Sequence, residues 1–271
     1  MQQICRWYGI STQAHYQARR RKQVRVKESE VVLSLVRKKR SRHPRMGTRK
    51  LLAELRPSMV RRGVKLGRDR LFSLLRAEEL LVKQRRRSHR TTYAGWWRCE
   101  DLLSGKVITR ANQAWVSDIT YIDSEQGFCY LSLITDVYSR CIVGYHVSQS
   151  LAVEGTLSAL KKAYKGKQTK GTIHHSDRGT QYTCSAYRQA LQGRGMKSSM
   201  GAAGNCYDNA IAERVNGILK QEYGLGHRFS NHRQVKAAVR EAIWLYNHER
   251  PHLSLGYKKP AQVYLNSINQ L

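Results

Sequence analysis

The first eighty residues carry apolar positions at helical spacing. In the segment GRDRLFSLLRAEELL, Leu71, Leu74 and Leu75 stand at i, i+3 and i+4, which is the apolar stripe of a packed helix. Three earlier segments are also typical of helices: YGISTQAHYQARRRK, ESEVVLSLVRKKR and GTRKLLAEL. The pattern therefore predicts a small all-α region at the start of the chain.

This helical region divides into two parts. In the first, Gly9 forms a turn and Ser11 caps the basic helix that follows, a pattern typical of a helix-turn-helix. A generic capped basic helix fits that short stretch about as well. We assign residues 1–27 to a basic helix-turn-helix-like remnant and residues 28–82 to a helical domain.

From residue 112 the pattern changes to that of β-strands. AWVSDITYID, GFCYLSLITDVYS and RCIVGYHVS are rich in β-branched and aromatic residues and follow one another at hairpin spacing. Helices and strands then alternate through VEGTLSALKKAYKG, GTIHHS, CSAYRQALQGRG and KSSM, followed by the helices DNAIAERVNGILKQEYG and NHRQVKAAVREAIWLYN. This order predicts an α/β fold, a ribonuclease H-like mixed sheet with flanking helices, at residues 112–230. Residues 231–271 are expected to form a C-terminal helix and tail packing on this core.

The charge is large and unevenly distributed. The chain has 49 Lys and Arg against 19 Asp and Glu, a net charge of +30. Residues 1–100 hold 28 basic and 7 acidic residues (+21), whereas residues 101–271 hold 21 and 12 (+9). A basic module attached to a milder remainder predicts a nucleic-acid-binding protein, with residues 28–82 as its DNA-binding domain. A solvated, ribosomal-type basic protein is the alternative that composition alone leaves open.

Residues 83–111 carry positive charge without apolar periodicity. We predict a basic linker that follows a phosphate backbone, with DNA contacts at Arg85, Arg86 and Arg87. A merely solvated linker is the alternative.

The remaining composition narrows the class of protein. No apolar run reaches the roughly 18 residues that a membrane span needs, so no membrane partner is expected. The six cysteines form no Cys-x-x-Cys pair, which speaks against a zinc knuckle and a disulfide framework. The start MQQICRWYGIS lacks the apolar core of a signal peptide. The chain is therefore expected to be cytoplasmic and associated with the nucleoid.

Three carboxylates are placed to meet at one edge of the predicted sheet. In the ribonuclease H-like order the first and fourth strands are neighbours, so Asp118 and Asp177 come together where their strands leave the core. Glu213 lies with Asn216 and Lys220 on the polar face of a predicted helix whose other face carries Ile211 and Val215. Each has an ordinary alternative, since an Asp can cap a turn or helix and a Glu can lie on a solvated face. Asp136, at the end of the second strand, is expected to form a turn instead.

A cluster of three carboxylates predicts a metal site. Two unit charges 4 Å apart repel by roughly 4 kcal/mol at an effective dielectric constant of about 20. Oxygen ligands select Mg²⁺ or Mn²⁺, and two such ions suit the cleavage and transfer of phosphodiesters.

Five motifs, taken in order, resemble bacterial insertion-sequence transposases. They are WVSDITYI, YLSLITDVYSRCIVGYHVS, HSDRGTQYT, SMGAAGNCYDNAIAERVNGILKQEY and YNHERPHLSLGYKKPAQVY. The match is to the orfB product of the "IS three" type, which has a retroviral-integrase-like core with a DDE triad. The alanines of GAAGN and Ala111 depart from the usual pattern without touching the carboxylates.

The resemblance implies a function for named residues. Asp118, Asp177 and Glu213 match the family's catalytic triad, which implies that they bind two Mg²⁺ or Mn²⁺ ions. DNA contacts are predicted at Lys220, Asn216 and Arg178.

The implied reaction is divalent-metal-dependent transesterification. Such enzymes nick the ends of their element and join the freed 3′-hydroxyl to another phosphodiester, without a covalent protein intermediate. The implied partners are the terminal inverted repeats, target DNA, further copies of the chain and an orfA product, and the short first helix fits a chain that forms the second half of a fusion. The alternatives are a non-catalytic DNA-binding or repressor fragment and a simple ribonuclease H-like nuclease.

Overall fold

The computed structural model describes residues 1–82, 97, 99–201 and 210–270. The chain divides into two compact units, Met1–Lys83 and Gln84–Leu271. Within the described ranges, no helix is both long enough and apolar enough to cross a membrane.

The first unit is helical, as its periodicity predicts. Its helices are α1 (Gln2–Trp7), α2 (Thr12–Arg42), α3 (Thr48–Arg61) and α4 (Arg68–Ala77). The end of α2 packs with α3 and α4 around a core that includes Val36, Leu51, Leu71 and Leu75.

Ser11 caps α2 as predicted, its hydroxyl accepting a hydrogen bond from the Ala14 amide at 3.0 Å. The helix then continues through the expected division between residues 27 and 28. No Gly or Pro interrupts Thr12–Arg42, so nothing in the sequence stops the helix there.

The second unit contains a five-stranded mixed sheet within the described residues. Its strands are β1 (Ala114–Ile122), β2 (Cys129–Asp136), β3 (Ile142–Ser148), β4 (Ile173–Ser176) and β5 (Lys197–Met200). The order across the sheet is β3-β2-β1-β4-β5. Neighbours β3, β2 and β1 pair antiparallel, whereas β1 with β4 and β4 with β5 pair parallel. The predicted α/β class and the adjacency of the first and fourth strands are confirmed.

Helices flank this sheet. They are α5 (Val153–Tyr164), α6 (Thr180–Thr183), α7 (Ser185–Gln192), α8 (Ala210–Glu222), α9 (His232–His248) and α10 (Pro260–Ile268), with a 3₁₀ turn at Leu253–Leu255. One core cluster joins β2 and β3 to α8 and α9, and another joins β1 and β2 to α5 and α7.

Gly144 on β3 lets α5 lie unusually close to the sheet. A Cβ atom at this position would lie 2.4 Å from the Ala159 carbonyl oxygen and 2.6 Å from the Ala163 Cβ. Any larger side chain would push the helix away from β3, because the atoms it meets belong to backbone or to alanine. The glycine and the two alanines together set the spacing between α5 and the sheet.

Asp136 stabilises the turn after β2, as the sequence predicts. Its carboxylate accepts hydrogen bonds from the Ser139 amide at 2.8 Å, the Ser139 hydroxyl at 2.6 Å and the Asn112 amide at 2.8 Å. Arg140 takes a positive φ of 61° in the same turn. Asp136 is thus used in fixing the β2–β3 connection and the entry to β1.

Candidate active site

Asp118 and Asp177 occupy equivalent positions on neighbouring parallel strands. In the register of β1 and β4, Val116 pairs with His175. Asp118 lies two residues beyond Val116, and Asp177 lies two residues beyond His175. The two carboxylates therefore lie at the same level of the sheet. Asp177 comes directly after β4, as predicted, whereas β1 continues beyond Asp118 to Ile122, because the strand stays paired with β2 over its whole length.

The Asp118 carboxylate is held by two donors. Its Oδ1 accepts from the Ile119 amide at 2.9 Å, and its Oδ2 accepts from the Asn216 Nδ2 at 2.7 Å. Burial, the neighbouring charge of Asp177 and a smaller contribution from Glu213 raise the pKa of Asp118 to about 7, although both hydrogen bonds oppose the rise. The deprotonated side chain is thus costly at neutral pH without a cation.

Asp177 is fixed by the turn that follows β4. Its Oδ1 accepts a hydrogen bond from the Gly179 amide at 3.0 Å. A Cβ at position 179 would lie 3.0 Å from that same oxygen, so glycine leaves room for the carboxylate. Burial raises the pKa of Asp177, and the Gly179 amide partly offsets this.

Glu213 lies in the first turn of α8 and is exposed. The helix buries Val215 and Ile218 on its other side, as the helical wheel predicts. The charge of Glu213 acts on Asp118, which places the third carboxylate near the first. Among the described residues, however, no three His, Cys, Asp or Glu side chains form a group that could hold a metal ion as they stand.

Asn216 and Lys220 are more buried than residues on a solvated helix face. Asn216 is only 6% exposed, because its side of α8 packs on β1 and its amide donates to Asp118. Lys220 is partly buried, which lowers its pKa, while the charge of Asp118 acts in the opposite direction. Asn216 thus positions a carboxylate, and Lys220 brings positive charge to the same edge.

Arg178, another predicted DNA contact, makes a hydrogen bond within the protein. The Arg178 Nε donates a hydrogen bond to the Gly201 carbonyl oxygen at 3.0 Å, which ties the turn after β4 to the end of β5. Arg85, Arg86 and Arg87 lie outside the described residues.

Tyr182 on α6 was not predicted from the sequence as a residue of this site. It is 3% exposed, and its hydroxyl has no hydrogen-bond partner among the described residues. Burial, followed by the charges of Tyr187, Asp177 and Asp118, raises the pKa of Tyr182 well above its ordinary value. The only sequence signal was its place in HSDRGTQYT, five residues after Asp177.

His174 braces the two strands that carry the aspartates. The hydroxyls of Ser117 and Tyr187 lie 2.8 and 3.0 Å from its Nε2. Burial lowers the pKa of His174 to about 3, so the ring is neutral at physiological pH. The contact with Ser117 joins β4 to β1 one residue before Asp118.

The raised pKa of Asp118 predicts a pH-dependent stability. A carboxyl whose pKa rises from 3.8 to about 7 on folding binds its proton more tightly in the native state. The contribution of Asp118 to the free energy of unfolding is therefore fully present below about pH 4. It is lost as the pH rises through about 7, by up to about 4 kcal/mol. Denaturant unfolding in EDTA should show a smaller loss between pH 5 and pH 8 for Asp118→Asn than for the wild type. Equal losses in the two proteins would contradict the assignment.

The chain is similar to known proteins over most of its length. Two family models, each described as an integrase core domain, match residues 108–206 and 194–260. The chain is 36% identical over 95% of its length to an insertion element IS600 uncharacterized 31 kDa protein of Shigella sonnei, covering 96% of that protein. It is 34% identical over 81% of its length to the transposase for insertion sequence element IS629 of Shigella sonnei, covering 74% of that protein.

A solved structure gives the same fold at lower similarity. The simian T-cell lymphotropic virus intasome, in complex with the PP2A regulatory subunit B56 gamma, contains a chain that aligns with 81% of this one. The alignment covers 70% of that chain, with a TM-score of 0.50 and 17% identity. The two integrase core models and the relatives matched over most of their length lead to one conclusion: the chain belongs to the insertion-sequence transposases with an integrase-like core.

Proposed function

We propose that this chain is a DNA transposase whose reaction takes place at Asp118, Asp177 and Glu213. The observation that carries the proposal is the pair of aspartates at the same level of β1 and β4, whose charges interact, with Glu213 near enough for its charge to act on Asp118. Structural carboxylates in this protein are satisfied differently. Asp136, for comparison, accepts two hydrogen bonds from Ser139 in its own turn and one from the Asn112 amide before β1.

The three carboxylates fit divalent cations. All their donor atoms are oxygens, which suits Mg²⁺ or Mn²⁺. Burial and neighbouring negative charge disfavour the deprotonated form of Asp118, and a bound cation would offset this. Glu213 is exposed and able to move towards an ion. We assign two ions to Asp118, Asp177 and Glu213. When bound, such ions activate the attacking oxygen and stabilise the leaving oxygen of a phosphodiester.

The proposed reaction has two displacements at phosphorus. In the first, water attacks a phosphodiester at the end of the element, and the 3′-oxygen leaves and takes a proton. In the second, the freed 3′-hydroxyl loses its proton and attacks a phosphodiester of target DNA, whose own 3′-oxygen leaves. The protein residues hold the reacting groups, and no covalent bond to the protein forms.

DNA binding is assigned to positively charged groups around this site and to the first unit. Lys220 lies about 10 Å along the axis of α8 from Glu213 and is placed to hold a phosphate near the scissile bond. The first unit supplies most of the excess charge and is proposed to read the terminal repeats. Further copies of the chain and an orfA product are the proposed protein partners.

A non-catalytic DNA-binding repressor is the second candidate. It requires the basic first unit and no more than a folded core. The presence of all three carboxylates and the buried Asn216 that orients Asp118 favours the enzyme, since a repressor needs neither.

The experiment that tests the function uses DNA that carries the ends of the insertion sequence. The full chain should nick these ends in Mg²⁺ and join them to a second DNA, and it should do neither in EDTA. A repressor would bind the same DNA equally in both buffers without cleaving it. Binding without any Mg²⁺-dependent product would therefore reject the transposase.

A further inference from the structure

Two neighbouring depressions lie at the end of the sheet where β1 and β4 begin. One has a volume of about 470 Å³ and the other about 620 Å³. They share the loop 165–168, which follows α5 and contributes Lys165 and Lys167 to both. The two depressions thus adjoin each other at this loop, and we call the lining of both the basal surface.

The basal surface is strongly basic. The described residues of its lining include no Asp or Glu. Its six cationic side chains are Arg110, Lys161, Lys165, Lys167, Lys170 and Arg194.

Five of these six side chains are exposed, and the exception is Lys167. The Lys167 Nζ donates to the Ala163 carbonyl oxygen at 2.6 Å and lies 5.9 Å from the ring centres of Trp115 and Tyr264. The Arg194 guanidinium stacks 4.0 Å from the centre of the Tyr164 ring, which holds it at the surface.

The basal surface lies away from the carboxylates. Gln113 and Thr172 line it and immediately precede β1 and β4. Asp118 and Asp177 each follow five residues later, which is about 16 Å along a strand. A phosphate held at the basal surface is therefore not the phosphate that reacts.

We propose that the basal surface binds the backbone of a second DNA segment, separate from the stretch held at Asp118 and Asp177. Five exposed cations spread over two adjoining depressions match a row of phosphates better than one small anion. Flexible lysine and arginine heads bind such a backbone without reading its sequence. The identity of the ligand as DNA rests on the proposed function, which requires two DNA segments to meet on the enzyme.

Lysine acylation followed by mass spectrometry tests this surface on the full chain. In EDTA, a saturating DNA duplex of arbitrary sequence should slow the acylation of Lys161, Lys165 and Lys170. Lys258, an exposed lysine before α10, should react at the same rate with and without DNA. Equal rates at the three basal lysines with and without DNA would overturn the proposal, as would protection by an RNA duplex but not by DNA.

A pair of charge-matched variants gives a second readout. Arg110→Ala, Lys165→Ala and Lys170→Ala combined should make the salt dependence of DNA binding shallower by up to about 2.7 in log–log slope. The control removes three exposed charges from α9 through Arg233→Ala, Lys236→Ala and Arg240→Ala. An equal change in both variants would mean that net charge alone is responsible, and the proposal would fail. Neither measurement involves cleavage, so their failure would leave the proposed reaction at the carboxylates unaffected.

Discussion

Asp177→Asn is expected to abolish both nicking and joining while leaving DNA binding intact. The substitution removes a ligand charge but keeps an oxygen that can accept from the Gly179 amide, so the turn after β4 is preserved. Loss of a cation that stabilises the reacting oxygens should reduce the rate by at least about 100-fold, or about 2.7 kcal/mol in the barrier. The measurement is the rate of product formation in Mg²⁺ on DNA carrying the element ends.

Asp123→Asn is the matched control for that experiment. Asp123 follows β1, is exposed, and lies 3.9 Å from the Arg228 guanidinium in a solvated ion pair. Its loss should change the rate little, because exposed pairs contribute little. Wild-type cleavage by Asp177→Asn would exclude Asp177 as a metal ligand, and equal losses in both variants would point to a general effect of charge.

Arg250→Met is expected to destabilise the second unit by about 3–5 kcal/mol. Arg250 is 2% exposed and grips Glu222 with two hydrogen bonds, from Nε at 2.8 Å and from Nη2 at 2.9 Å. This pair ties the end of α8 to the chain after α9. Removing the guanidinium takes two hydrogen bonds and an adjacent positive charge from the partly buried Glu222 carboxylate. Denaturant unfolding followed by tryptophan fluorescence measures the loss.

Two further variants separate the ion pair from the loss of a long side chain. Arg240→Met, on the exposed side of α9, should change the free energy of unfolding by less than about 0.5 kcal/mol. Glu222→Gln combined with Arg250→Met should recover part of the loss, because a neutral amide is less costly to bury than a carboxylate that has lost the Arg250 charge. A cost below about 1 kcal/mol for Arg250→Met would show that the pair is not structurally important.

The sheet was predictable because its signals are local. Alternating β-branched and aromatic residues marked β1 to β3, and the turn between β1 and β2 carried Gly127, which takes a positive φ of 98°. The order of elements then placed β1 beside β4, and so placed Asp118 beside Asp177. α6 and α10 were not predicted, since four and nine residues give little periodicity to recognise.

The details of the site depend on contacts between elements and were less accessible. A helical wheel treats α8 as an isolated helix, so it put Asn216 on the solvated face, whereas packing on β1 buries it against Asp118. Tyr182 was missed for the same reason, because its position beside both aspartates depends on how α6 folds back after β4. The residue types were visible in the sequence, but their partners were not.

Glu213→Gln gives the most direct test of the central claim, that the three carboxylates carry out DNA joining. Glu213 is exposed and its side chain supports no part of the core, so the variant should fold with an unchanged unfolding midpoint. The measurement is the joining of a pre-nicked terminal DNA, with its 3′-hydroxyl already free, to a target plasmid in Mg²⁺. We expect normal DNA binding and loss of joining, whereas joining at the wild-type rate would contradict the assignment of Glu213 to the site.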